Sequence, residues 1–204
     1  MSVFGPLAGT PARPASSIDS MPAAFRGALD QLRSARPRPE AVVSEVPAPA
    51  KLAPFAVALG AEIGEETGEH IATGRFILLH DPAGQESWGG TFRVVIYIRA
   101  ELEPEMGNDP LLASVAWTWL SDSLAQHGVR HSHAGGTATR ILSESFGSLE
   151  SRRASNDVEL RASWTPQGAA FGANLEAWAD MVCSFAGLPP LPDGVVALPH
   201  IRRS

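Results

Sequence analysis

Apolar positions along the chain fall into helical, then alternating, then again helical runs, and that succession predicts the elements. Phe25, Ala28, Leu29 and Leu32 stand three and four apart, so a short helix runs to Ala35, with Pro22 in its first turn and Ser20 as its cap. Arg36-Pro-Arg-Pro39 stops it, because a residue before proline avoids the helical region. Residues 36–54 carry five prolines (Pro37, Pro39, Pro47, Pro49 and Pro54) and read as a connector with room for a short edge strand around Val42 and Val43. Three alternating runs follow: Phe55 to Ile63, Arg75 to Leu78, and Phe92 to Arg99. Polar, Gly-bearing turns at Gly64 to Gly68, Asp81-Pro-Ala-Gly84 and Gly89-Gly90 make them an antiparallel meander.

The second helix opens at Asn108-Asp109-Pro110, with Asp109 as cap and Pro110 at the first helical position, and runs to Gln126 before Gly128. Strands are expected at Thr137 to Phe146 and at Asp157 to Trp164. In the latter, Val158, Leu160, Ala162 and Trp164 share one face. The last helix covers Ala169 to Ala186 on the stripe Phe171, Leu175, Trp178, Val182 and Phe185, and Gly187 ends it. Strands with one clean apolar face need cover on that face. The chain is therefore expected to be an α+β two-layer sandwich in the order α-β-β-β-α-β-β-α, with an antiparallel sheet of about five strands. Residues 1–20 and 191–204 have few core formers and are expected to be loose tails on one domain, 21–190.

Composition narrows the function classes. With 44% hydrophobic and 19% charged residues in 204, the chain can bury a core. Its formal net charge is −6, and residues 55–109 hold ten acids against Arg75, Arg93 and Arg99, which would repel nucleic acid. Cys183 is the only cysteine, so no intramolecular disulfide and no cysteine-based zinc site can form. No secretory leader and no apolar run of roughly 18–20 residues is present, and the expected setting is the cytoplasm, with no membrane partner.

Candidate chemistry is sparse. His131 and His133 would point the same way on a regular strand and could share a metal, but further ligands are not evident, and two half-exposed histidines on a strand edge are the commoner outcome. His80, Asp81 and Ser87 lie close together, yet the run before Ser87 is one residue too long for a nucleophile elbow. Asp109 is accounted for as a cap, and the acids Glu101, Glu103 and Glu105 read as a solvated loop. Arg93, Tyr97 and Arg99 share one face of the third strand. They could hold an anionic ligand, or the arginines could pair with Glu62, Glu101 or Glu103 on neighbouring strands. No cofactor motif occurs. The second helix carries two apolar faces: Leu111, Leu112, Val115, Ala116 and Trp119 suit the sheet, while Ala113, Trp117, Leu120 and Leu124 form a second seam. That seam is covered within the chain or forms an interface.

Several segments resemble the actinobacterial domain of unknown function 3000 family: Arg36-Pro-Arg-Pro-Glu40, Leu79-His-Asp-Pro82, Arg99-Ala-Glu-Leu-Glu-Pro-Glu105, Asp109-Pro-Leu-Leu112, Arg161-Ala-Ser-Trp-Thr-Pro166 and Gly187-Leu-Pro-Pro190. The resemblance spans residues 25 to 190 and implies no activity, so it carries over no catalytic residue. The element order is also similar to that of type III secretion chaperones and their YbjN-like relatives, which implies a dimeric protein-binding module using its central helix. The expectation is thus a non-enzymatic, chaperone-like or adaptor module, a homodimer through the second helix. The alternative is a binder or enzyme with an anionic-ligand pocket near Arg93, Tyr97 and Arg99.

Overall fold

The computed structural model describes residues 10–11, 21–64, 70–102, 110–151 and 154–188. Its elements are β1 (Thr10–Pro11), α1 (Ala23–Ser34), β2 (Val42–Val46), β3 (Phe55–Gly64), β4 (His70–Gln85), β5 (Gly90–Leu102), α2 (Leu112–Gln126), β6 (His131–Ser143), β7 (Ser155–Pro166) and α3 (Phe171–Phe185). Every strand pairing is antiparallel, in the order β1-β3-β4-β5-β7-β6, with β2 also on β3. β1 and β2 share one edge of β3, opposite Phe55–Ala56 and Ala58–Glu62 respectively. The α+β class and the β3-β4-β5 meander stand, with β2 added as a full strand at the place expected for an edge. The tails expected at 1–20 and 191–204 lie outside the described residues, apart from Thr10 and Pro11.

One sheet face is apolar across four strands. Val57, Leu59, Ala61 and Ile63, then Phe76 and Leu78, then Val94, Ile96 and Ile98, then Val158, Leu160, Ala162 and Trp164 are buried in one core with all three helices. The stripe expected for α3 is buried throughout, and α3 lies over the sheet so closely that a Cβ on Gly74 would stand 2.6 Å from Val182 Cγ2 and 2.7 Å from Trp178 Cζ2. α2 and α3 both close in Schellman motifs. Val129 N–H donates to Leu124 O and Gly128 N–H to Ala125 O, while Leu188 N–H donates to Cys183 O and Gly187 N–H to Ser184 O. Gly128 and Gly187 supply the positive φ of 63° and 76° that these ends require.

Local details depart from the sequence reading in four places. β6 begins at His131, not Thr137, and stops at Ser143. The expected turn at Asp81–Gly84 is instead a bulge inside β4: His80 pairs with Phe92 and Gln85 with Gly90, so four residues face one. The hairpin turn itself is Glu86–Gly89. α2 begins at Leu112 behind Leu111, and the proposed cap Asp109 lies outside the described residues. Cys183, expected half-buried, is wholly buried, and burial pushes its thiol up to about 12. No helix among the described residues is long and apolar enough to cross a membrane.

Candidate functional site

The helix-free face of the sheet carries the arginines of β5. β7 lies directly beside β5, with Tyr97 opposite Arg161 and Arg99 opposite Glu159. Arg99 donates to Asp157 Oδ2 at 3.0 Å, a partner 58 residues away. Tyr97 donates its hydroxyl to Glu159 Oε1 at 2.8 Å, and Arg161 lies over its ring, 5.4 Å from the centroid. Burial, then that hydrogen bond, raises the Tyr97 phenol, while the Tyr97 hydroxyl, and Arg161 after it, lowers the Glu159 carboxyl. The arginine face thus pairs with acids, as the commoner alternative expected, but on β7 rather than with Glu62 or Glu101, while Glu103 lies outside the described residues. Arg93 differs. Its guanidinium donates to Ser163 Oγ at 2.7 Å and Thr165 Oγ1 at 3.1 Å, and burial lowers its pKa. Arg93, Tyr97 and Arg99 therefore share a face, but Tyr97 and Arg99 are occupied by carboxylates.

His131 and His133 are not set out as on a regular strand. Ser132 pairs with Thr165 and Gly135 with Ser163, so His133 and Ala134 bulge opposite one residue, and His133 takes φ 51°. The same-face rule fails across such a bulge. His131 Nδ1 lies 3.4 Å from Val129 O and His133 Nδ1 lies 3.1 Å from Ser132 Oγ. No group of three His, Cys, Asp or Glu that could hold a metal occurs among the described residues.

The seam expected on α2 divides. Leu120 and Leu124 are each only 2% exposed and belong to the chain's own core, whereas Trp117 is 36% exposed and Ala113 is on the surface. The inward stripe is Leu112, Ala116, Leu120 and Leu124. Steps of four over-rotate by about 40° each, so this stripe winds around the helix and takes residues from both expected faces. Leu111, assigned to the sheet side, is instead exposed. On the α3 side, Trp119 packs edge-on against Phe185 and Ser123 donates to Ala177 O. At 100° per residue, Ala113 and Trp117 occupy the flank of α2 turned away from α3. β6, against which α2 also packs, forms that edge of the sheet.

The end of the sheet holds a group no sequence motif marked. His80 is buried and stacks on Phe92 at 4.1 Å and on Phe25 at 5.8 Å, with Phe55 at 6.1 Å. Phe171, at the start of α3, packs on Phe92 at 4.6 Å. His80 Nδ1 faces Thr91 O at 3.0 Å, so that nitrogen carries the proton. Burial lowers the His80 pKa, and the Thr91 carbonyl and Asp81 only partly oppose it. The folded imidazole thus stays neutral where an unfolded chain takes up a proton, from about pH 6.5 downward. Stability from this group is complete above that pH and is lost as pH falls towards the folded pKa. Urea unfolding of His80→Phe should show a shallower loss of stability between about pH 7 and pH 5 than wild type; an unchanged slope would contradict a neutral buried His80. The signal in the sequence was the convergence of Phe25, Phe55, His80, Phe92 and Phe171 at element ends, which only topology brings together.

Compared with curated proteins and with solved structures, the chain has no significant match in either, so nothing beyond element order links the fold to type III secretion chaperones. A family described as "Protein of unknown function (DUF3000)" matches residues 21–196, which is most of the chain and all three helices. The α+β domain described above therefore belongs to the DUF3000 family of proteins of unknown function.

Proposed function

We propose that this chain is a non-enzymatic protein-binding module that pairs with a second copy of itself along β6 and the outer flank of α2. The observation that carries the reading is the edge itself. β6 is 13 residues long, none of them buried, and among the described residues it ends the sheet. Long edges are usually blunted by proline, charge or a bulge. β6 has no proline, its bulge lies at its start, and residues 135–143 contain one charged side chain, Arg140.

The edge suits its own copy. An antiparallel pairing centred on Thr139 would set Leu142, 65% exposed, beside Gly136 of the second copy, on the helix-bearing side. The two-fold axis would bring the Trp117 flanks of both α2 helices to the same side. Light scattering after size exclusion tests this across a concentration series. The expected result is a dimer that becomes monomeric in Trp117→Glu combined with Thr139→Lys, with an unchanged far-UV circular dichroism spectrum because both positions are exposed. A wild type that stays monomeric at the highest concentration would sink the reading. The carboxylate pairing of Arg99 and Tyr97 counts against the anionic-ligand alternative at that face.

A further inference from the structure

We infer that the cleft at the end of the sheet, between α1, the β4–β5 turn and the loop from β7 to α3, binds a small planar carboxylate. This is independent of pairing along β6. The last β5–β7 partners are Val94 and Trp164; beyond them, Gly90–Phe92 and Thr165–Ala169 border the cleft. α1 closes the third side with Ala23, Ala24, Gly27 and Ala28. The volume is about 530 Å³, which suits a ligand the size of one or two fused rings.

The walls differ in chemistry. One is aromatic: Phe92 and Phe171, inclined at 49° and backed by the stacked His80. The opposite wall is the small-residue face of α1, which leaves room for a flat ring against the phenylalanines. Among the described residues no acidic side chain lines the cleft, so none of them would recognise a cation there. A cation stands beside this lining, though not in it. Arg130 Nη2 is 3.9 Å from the position a Cβ on Gly168 would take, Gly168 lines the cleft, and the Arg130 guanidinium has no acidic partner among the described residues. Inside, Gln31 Oε1 accepts from Phe171 N–H at 2.9 Å, which turns the amide nitrogen of Gln31 into the free donor of that side chain. A planar carboxylate meets all three features: its ring lies on Phe92 and Phe171, its charge faces Arg130, and a second acceptor reaches Gln31.

Saturation-transfer NMR on the full chain tests this with benzoate, indole-2-carboxylate and 2-naphthoate, against benzamide as the uncharged control and cyclohexanecarboxylate as the non-planar one. Gly27→Leu is the blocking variant. A Cβ at Gly27 meets nothing within 4 Å, and leucine favours the helix, so this variant should melt no lower than wild type while filling the cleft. Ala24→Leu, exposed on the same wall, is a second block. The expected result is saturation transfer to the planar carboxylates, lost in both leucine variants and weakened roughly tenfold in Arg130→Gln and for benzamide. Absence of a signal from all three planar carboxylates on wild type overturns the inference, and so does a signal that survives both blocks.

Discussion

Trp164→Ala should lower stability by about 3–5 kcal/mol in urea or thermal unfolding, the largest loss expected from any single side chain here. Trp164 is fully buried beneath the helices at the end of β7. Its indole N–H donates to Asn174 Oδ1 at 2.7 Å, and Asn174 Nδ2 in turn donates to Ala170 O at 2.8 Å, in the first turn of α3. Two terms therefore add, the cavity and the orphaned amide oxygen. A matched pair separates them. Trp178 is equally buried, but its indole nitrogen has no hydrogen-bond partner among the described residues. Phenylalanine at either position removes similar apolar area, yet only Trp164→Phe breaks a hydrogen bond. That variant should be less stable than Trp178→Phe by about 1–3 kcal/mol. Equal losses would mean that the Trp164–Asn174 bond contributes nothing net.

Adding a methyl group at Gly74 should also destabilise the fold. Its Cβ would lie well inside the contact distance of Val182 Cγ2 and of the Trp178 ring, and both are held in the core between α3 and the sheet. Neither is the free end of a flexible side chain, so α3 must lift or a ring must leave its rotamer. The cost is about 1–3 kcal/mol. Val182→Ala removes the closer of the two contacts and leaves the Trp178 contact in place. In the double variant the two losses should fall short of additivity by at least about 0.5 kcal/mol, measured in one urea series. Strict additivity would mean that Gly74 and Val182 do not share this contact.

Glycine at 74 is legible only in retrospect. The alternating run expected in the sequence starts at Arg75, so Gly74 falls outside it, and nothing there says which helix approaches it. The same limit applies to the arginine face of β5. The sequence offers Glu62, Glu101 and Glu103 on neighbouring runs as its acids, whereas β7 returns from the far edge and inserts beside β5, bringing Asp157 and Glu159. Strand order is set by how the β6–β7 hairpin folds back, a non-local event that alternation within one strand does not encode.

Local rules carried further. Side-chain periodicity alone placed α1, α3 and the meander, since a residue's face depends on its own backbone geometry and on little else. Glycine's freedom at positive φ placed the ends of α2 and α3 at Gly128 and Gly187 for the same reason. What depended on neighbours was decided by the tertiary structure. A stripe with steps of four winds around α2, so only packing against α3 and the sheet could choose Leu120 and Leu124 for the core and leave Trp117 outside. A bulge depends on the partner strand's register, so only pairing with β7 could set His133 in a bulge at φ 51°. The cleft beside Phe92 and Phe171 depends on where three distant segments end relative to one another, and no run of residues along the chain records that distance.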